Sequence, residues 1–392
     1  MQKTTLDLNL SSLSIAVVTH SRTTGFSQML RDFLKVKKAT FLFVDHPLHP
    51  EKGTVSVYAS FRNGMQVTKE TSPTFSNTLL NYIWDLCTTI FYMAKSPQVF
   101  DIAIGVDNLN TLALIILRYF GKVKKVVYHT VDYTPNRFKN SLLNSTYHLI
   151  DQICCYQADM IWNSSGRMNE GRVKRGLIEH KIARTIVTPD GSNFDPEKRL
   201  PLSRIDRNLI VFLGHLRSGM GLDLLLDVFK EIVESKKEAK LMIVGGGPLQ
   251  QHLMARIKNE NIPHVELTGF IESHEKVDEI IRKGAIGVAP FEPEKNSIEY
   301  YSDVGKPKVY LAAGMPVVIT KLPEIADEID LRKAGFAISF DKNLMTNNIL
   351  LLLQDKKLYE SYRNNAIVLS EKYIWKNIFE KAFRETFKYL YD

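Results

Sequence analysis

The sequence predicts an α/β protein of two doubly wound domains, and three observations predict it. Strand-like and helix-like runs alternate through the first half, and a polar, proline-bearing stretch, "NFDPEKRLPLSRIDRN" (193–208), interrupts them. The same alternation then restarts. Strands alternating with helices mean βαβ units, hence parallel sheets covered on both faces. A chain of 392 residues also exceeds one ordinary core.

In the first half "LSIAVVT" (13–19), "ATFLFVD" (39–45), "FDIAIGV" (100–106) and "KKVVYHTVD" (124–132) read as strands. Amphipathic segments 26–37, 78–95 and 109–120 lie between them. A long helical stretch runs from about Ser141 to Ala158, followed by "DMIWNSS" (159–165) and "ARTIVTPDG" (183–191). After the break, "NLIVFLG" is a strand and "GLDLLLDVFKEIVESKK" a helix. "AKLMIVGGGP" is a strand with a glycine turn, "LQQHLMARIKNE" a helix and "HVELTGF" a strand. "KVDEIIRKG" (helix) and "AIGVAPF" (strand) precede "GKPKVYLAAGMPVVIT" (305–320), and helices close the chain. The expected division is 1–195, 205–370 and a last helical piece, 371–392. Two such domains make a cleft, and ligands of these sheets bind at the carboxyl ends of the strands.

Composition narrows the function. Hydrophobic content of 44% and charged content of 24% are those of a soluble globular protein. A net charge of +8 suggests an anionic partner, a nucleotide or an acidic membrane surface. No long basic arm or aromatic-interleaved basic motif appears, so nucleic acid is not expected. The three cysteines, Cys87, Cys154 and Cys155, form no CxxC or Cys/His cluster, and no metal site is expected. The N-terminus lacks a signal-peptide core, and the most apolar run, "LNTLALIILRYF" (109–120), is too short to span a bilayer. A cytoplasmic protein is expected.

Several stretches have the makings of an anion site. Lys306 falls near the start of a short helix that Gly314 ends, a position that favours anions over cations. A phosphate held jointly by N–H groups and the lysine would account for it; so would a solvated surface lysine. "IVGGGP" (243–248) places Gly245, Gly246, Gly247 and Pro248 between a strand and a helix. A triplet exceeds what a turn needs, which favours close approach of a ligand. "VFLGHLRSGMG" offers Gly214, His215 and Arg217, the last either a phosphate ligand or an exposed loop arginine. "VTHSRTTGF" forms a second such turn at Gly25, with His20 and Arg22 read as solvated. In "VVYHTVDYTPNRF" (126–138), strand alternation puts Tyr128, Thr130 and Asp132 on one face. Asp132 either serves chemistry at a reacting carbon or pairs with Arg137 or caps the next helix.

"FLGHL…GLDLLLDVF", "LMIVGGGP", "VELTGF", "AIGVAPF" and "KVYLAAGMPVV", in this order, resemble nucleotide-sugar glycosyltransferases of the GT-B fold. The nearest group is the retaining one that includes glycogen synthase-like and lipopolysaccharide-type enzymes. The resemblance is strong over about 208–340 and weaker before it, in "THSRTTGF", "VDYTPNRFKNSLLNSTYHLID" and "ADMIWNSS". It implies a donor nucleotide on the second domain, an acceptor mainly on the first, and closing helices that pack back on the first. Gly245–Pro248 would lie against the nucleoside with Phe270 nearby, and Gly25 would approach the diphosphate. Asp132 falls at or beside a catalytic-site histidine of many members.

The departures from the family are specific. The usual Gly-Arg and Lys-Gly pair reads Gly214-His215 and Met220-Gly221 here, so either Arg217 substitutes or the basic pair is lost. The usual two glutamates are Tyr301 and Val309. Lys306 matches a lysine of some relatives, and Glu292, Glu294, Glu299 and Asp303 are acids near the expected donor sugar.

The expectation is a hexosyltransferase acting from a nucleoside-diphosphate sugar on a glycan or lipid-linked acceptor, retaining and metal-independent, with no cofactor. Asp132, Lys306 and Arg217 would do the chemistry, and peripheral membrane contact is compatible with the charge. Rival readings are a non-catalytic sugar-nucleotide-binding relative and a nucleotide-sugar epimerase. A nicotinamide-dependent dehydrogenase is disfavoured because the dinucleotide fingerprint is missing.

Overall fold

The computed structural model describes residues 10–21, 25–48, 51, 53–75, 77–293 and 297–391. The chain forms two units, one of residues 1–190 with 375–392 and one of residues 191–374.

In the first unit eight strands make one sheet: β1 (Ser14–Ser21), β2 (Thr40–Pro47), β3 (Val55–Arg62), β4 (Met65–Pro73), β5 (Phe100–Val106), β6 (Val123–Thr130), β7 (Met160–Asn163) and β8 (Thr185–Val187), in the order β4-β3-β2-β1-β5-β6-β7-β8. Helices α1 (Phe26–Val36), α2 (Thr78–Lys95), α3 (Asn108–Tyr119), α4 (Ser141–Gln157) and α5 (Arg167–Lys174) connect them. The strands from β5 onward, with β1 and β2, pair in parallel, as apolar runs such as "SIAVV" and "FDIAIGV" require when both faces are covered. The β3–β4 hairpin is antiparallel and was not part of the expected alternation. Its signal was Asn63-Gly64: both residues have positive φ (51° and 76°), the geometry of a two-residue hairpin turn. The exposed edge strand β4 carries Lys69, Glu70 and Pro73, which discourage pairing with another chain.

The second unit holds a wholly parallel six-stranded sheet of β9 (Leu209–Leu213), β10 (Lys240–Val244), β11 (Val265–Gly269), β12 (Ile286–Ala289), β13 (Val317–Thr320) and β14 (Gly335–Ile338), in the order β11-β10-β9-β12-β13-β14. Its helices are α6 (Leu222–Ser235), α7 (Gln250–Asn259), α8 (His274–Ile281), α9 (Ile298–Tyr301), α10 (Lys306–Ala313), α11 (Ile325–Leu331), α12 (Lys342–Gln354) and α13 (Lys356–Ser370). The polar stretch 193–208, whose composition reads as a break between the two halves, is part of this unit. It holds two short 3₁₀ turns, buries Phe194 and Ile205 in the core, and Arg199 donates to the Ala312 carbonyl.

The last helix, α14 (Trp375–Tyr391), belongs to the first unit. Phe379 and Phe383 lie against Phe33, and the Trp162 Nε1 donates to Thr386 Oγ1 at 2.9 Å. The expected division therefore shifts: the first boundary falls at 190, and the returning piece begins at 375, not 371.

In each sheet the strand order reverses direction once, between β1 and β5 and between β9 and β12. In open parallel sheets, ligands bind outside the carboxyl ends of the strands at such a switch point.

Candidate functional site

In the second unit, the loops that leave the carboxyl ends of β9, β10 and β11 are laced together by their backbones. Gly214 N donates to Val244 O (3.0 Å), Leu216 N to Gly246 O (3.0 Å), Leu249 N to Leu216 O (2.9 Å) and Gly245 N to Gly269 O (3.1 Å). This explains the glycine triplet. A Cβ on Gly245 would lie 1.9 Å from the Gly214 carbonyl oxygen, one on Gly247 2.4 Å from that of Leu216, and one on Gly246 3.0 Å from the Phe270 Cβ. The space the triplet vacates is filled by protein, which corrects the inference from the triplet to a ligand. Gly221, at φ 63°, packs in the same way on the Pro290 carbonyl and starts α6. The loop after β12 joins the lacework through Glu292 N to Gly219 O (2.9 Å).

On this frame stand Phe270, 80% exposed beside Gly246, and the exposed side chains of His215 and Pro248. An exposed aromatic ring held by a rigid turn is a stacking surface for a planar base.

Helix α10 lies between β12 and its parallel neighbour β13, so its N-terminus opens at the same carboxyl edge. Lys306 is its first residue. Pro307 brings no N–H, and the Lys308 and Val309 amides point to the Gly305 carbonyl (3.1 and 3.3 Å). The dipole is present, but the side chain must supply most of the donors. Among the described residues the Lys306 ammonium has no ion-pair or hydrogen-bond partner, and although exposed, it is partly desolvated, which lowers its pKa. Lys308, two residues on, is fully buried, pairs with Asp303 and lies 4.8 Å from the Tyr373 ring centroid. Asp303 is thus a nearly buried partner of Lys308, which corrects its expected place on a donor sugar. Arg217, expected to await a phosphate, forms an ion pair with the nearly buried Glu299 and donates to the Ser218 carbonyl. Glu294 and Arg22 lie outside the described residues.

In the first unit, Gly25 caps α1, donates its N–H to Gln28 Oε1 (3.1 Å), and has no described atom within 4 Å of where a Cβ would stand. Among the described residues this glycine, unlike the triplet, is not crowded by protein. His20, expected to be solvated, is instead built in at the end of β1. Its Nε2 meets Asp85 Oδ2 at 3.2 Å and its Nδ1 the Asn110 amide at 3.0 Å. With both ring nitrogens engaged, His20 positions its surroundings and has no free nitrogen for a substrate proton. Asp85 also accepts from Asn81 (2.6 Å) and Ser56 (3.1 Å) and lies 3.1 Å from the His46 ring. Burial alone would raise the Asp85 carboxyl; hydrogen bonds from His20 and His46 outweigh it and hold the group at about 2. A folded-state value below the unfolded one stabilises the protein at neutral pH, and this is lost as the pH falls from about 4 toward about 2. Asp85→Asn is expected to remove about 2–3 kcal/mol of that acid-limb dependence, checked by urea unfolding across this range; an unchanged slope would contradict it.

At the ends of β5 and β6 a second group gathers. Strand β6 stops at Thr130, so Asp132 lies in the following loop and not on the strand face expected for it. It pairs with Arg137 at 2.5 Å. Asp107 was not singled out from the sequence. It stands at φ 66° and ψ 168°, backbone that glycine favours, with its carboxyl pushed up to about 6 by burial and by Asp132. The loop is anchored from beneath: Val131 N reaches Asp107 Oδ1 (3.4 Å), Ser164 Oγ donates to Val131 O (2.6 Å), and buried Arg172 donates to Thr130 Oγ1 (2.8 Å) and to both Asp151 oxygens (3.0 and 2.8 Å). Among the described residues no three His, Cys, Asp or Glu side chains are grouped to hold a metal ion.

Residues 207–355 match the family model described as Glycosyl transferases group 1. The chain is 23% identical over 209 residues to the sulfoquinovosyl transferase SQD2 of Arabidopsis thaliana, covering 50% of this chain and 38% of that protein. The chain thus spans well under half the length of that curated relative. Among solved structures, HepE of Anabaena in complex with UDP superposes with a TM-score of 0.69 at 14% identity, over 96% of this chain and 100% of that one. The sucrose-phosphate synthase of Thermosynechococcus elongatus superposes at 0.67 and 15% identity, over 96% and 99%. These likenesses establish the GT-B fold.

Proposed function

We propose that this chain, a GT-B protein whose residues 207–355 match the family model of Glycosyl transferases group 1, transfers a hexose from a nucleoside-diphosphate sugar to an acceptor hydroxyl. The observation that carries the reading is the carboxyl edge of the second sheet, where an exposed aromatic stands beside the glycine lacework and the first residue of α10 is a partly desolvated lysine with no partner among the described residues. Phe270 takes the base. Lys306 meets the diphosphate and stabilises the charge that grows on it as the anomeric C–O bond breaks and the bond to the acceptor oxygen forms. HepE was solved with UDP, with UDP and glucose, and with UDP-glucose, which supports a uridine nucleotide as the first donor to try. Metal independence and retention belong to the proposal, with Lys306 in the place of a cation.

The test is a panel of nucleotide sugars read by thermal unfolding. A donor at 100 times its Kd should add about 2.7 kcal/mol to the stability of the unit that binds it. Stabilisation followed by transfer or donor hydrolysis supports the enzyme. Binding without turnover would favour a non-catalytic relative, for which the pairing of Arg217 with Glu299 and of Asp303 with Lys308 would be the cause. A panel with no hit would overturn both.

Peripheral contact with an anionic membrane surface is the second part of the proposal. Helix α2 is turned with polar Asn81, Asp85, Thr88 and Thr89 inward, while Leu79, Leu80, Ile83 and Phe91 are exposed. Among the described residues no helix is long and apolar enough to cross a membrane. The net charge of +8 favours acidic lipid. Flotation with phosphatidylglycerol vesicles should carry the protein upward, and Ile83→Ser/Phe91→Ser should leave it at the bottom; equal flotation of both would count against this face.

A further inference from the structure

We propose that a groove of the second unit, built by residues 196–202 and helix α13, is a binding site for a small oxyanionic ligand, through two arginines that form no ion pair among the described residues. The groove encloses about 630 Å³, within the range of small-molecule sites. Arg199 and Arg363 line it, with Leu200, Leu202 and Ile367 as apolar wall and Asn364 at an exposed position.

Both guanidinium groups are held from behind by carbonyls at the C-terminal end of α10. Arg363, buried, donates to Gly314 O (2.8 Å) and to Leu200 O (2.6 Å), and Arg199 Nε donates to Ala312 O (2.9 Å). A helix C-terminus attracts cations, so one arginine here is explained by the fold alone. A second is not. Among the described residues neither forms an ion pair, and the terminal nitrogens of Arg199 make no hydrogen bond. Arg199 is disfavoured as a cation by burial and by the charge of Arg363, which the more weakly felt carboxylate of Glu371 only partly offsets. The acid that lines the groove, Glu360, reaches only Lys356, at 3.9 Å. Two like charges are thus fixed side by side in a concavity, with donors left over and a wall that can take the apolar part of a ligand. A phosphate or carboxylate suits the arginine fork and would relieve the repulsion.

The site stands within the second unit and needs no turnover to be seen, so its fate is separate from that of the transferase reading. The experiment is calorimetric titration of the full chain with inorganic phosphate and, separately, citrate. Wild type is expected to bind at least one of them, phosphate the better if the natural ligand is a phosphoryl compound and citrate if it is a carboxylate. Arg199→Ala should weaken that binding about tenfold or more, the weight of a charge-assisted pair of hydrogen bonds. Arg199→Lys should keep part of it, and Lys306→Ala should leave it unchanged. Asn364→Asp, which puts a negative charge on an exposed position and spares the contacts to α10, should weaken it as well and guards against misfolding of the arginine variant. Binding lost in Lys306→Ala and kept in Arg199→Ala and Asn364→Asp would overturn the proposal, as would no binding of either anion by wild type.

Discussion

Lys306→Ala is expected to lower kcat by about 10²–10³-fold, the scale for removing one preorganised donor to charge that develops in a transition state. Donor affinity should change far less. The ground-state diphosphate is already fully ionised and shares its charge with the α10 dipole and solvent, whereas the extra charge on the departing oxygen needs a donor fixed near it. The side chain is free to play this part: among the described residues it has no partner, its neighbour Lys308 holds the structural ion pair, and partial desolvation has already lowered its pKa. Lys306→Arg should recover a fraction of the rate, since the charge returns in a different shape. The check is steady-state kinetics with the donor found in the panel. A variant that turns over like wild type would remove the leaving-group role; one that loses donor binding and rate equally would make Lys306 a simple binding residue.

Arg172→Met is expected to destabilise the first unit by about 3–5 kcal/mol, the cost of breaking a buried ion pair by removing one member. The guanidinium is fully buried and bridges Asp151, Asn163 and Thr130, and Tyr128 donates to the same Asp151 at 2.5 Å. Its loss would leave a carboxylate in a nearly dry site with the tyrosine hydroxyl as its main remaining donor. At about 2–4 °C per kcal/mol for a unit of this size, the midpoint should fall by about 6–20 °C. Arg172→Met/Asp151→Leu should regain much of the loss, because an apolar replacement of the whole pair is often neutral. If the double variant were no better than the single, lost packing and not an orphaned charge would be the cause. Hydrogen exchange should also show the loop after β6 loosened, since Arg172 holds the end of that strand through Thr130.

The elements read best where patterning is local. The alternating runs, the helix ended by Gly314 at φ 79°, and strands such as "FDIAIGV" follow from side-chain period and turn chemistry over a few residues. The β3–β4 hairpin was legible as well, in Asn63-Gly64, but the exposed polar strand after it lacks the apolar alternation that marks a strand. β14 is four residues long and starts on a glycine, with too little pattern to read.

The candidate site was legible only in part. Residue types and positions along the strands were available: Phe270 and Lys306 are exposed, and Gly25 has no described atom within 4 Å of where a Cβ would stand. What each side chain is bonded to was not. His20 finds Asp85 across 65 positions and Arg172 finds Asp151 across 21, while Arg217 is taken by Glu299 at a separation of 82.

By itself the sequence determined the two doubly wound halves, the loops that carry glycine and charge at the strand ends, and the likeness to nucleotide-sugar transferases, because these depend on period and order along the chain. Only the tertiary structure decided which charges are spent on protein and which are left for a ligand. Among the described residues Asp132, Asp303 and Arg217 have ion-pair partners, whereas Lys306 has none. The physical reason is that a charge is silenced by whatever lies within a few ångströms of it, and that neighbourhood is assembled by strand order and loop packing from residues far apart in the chain.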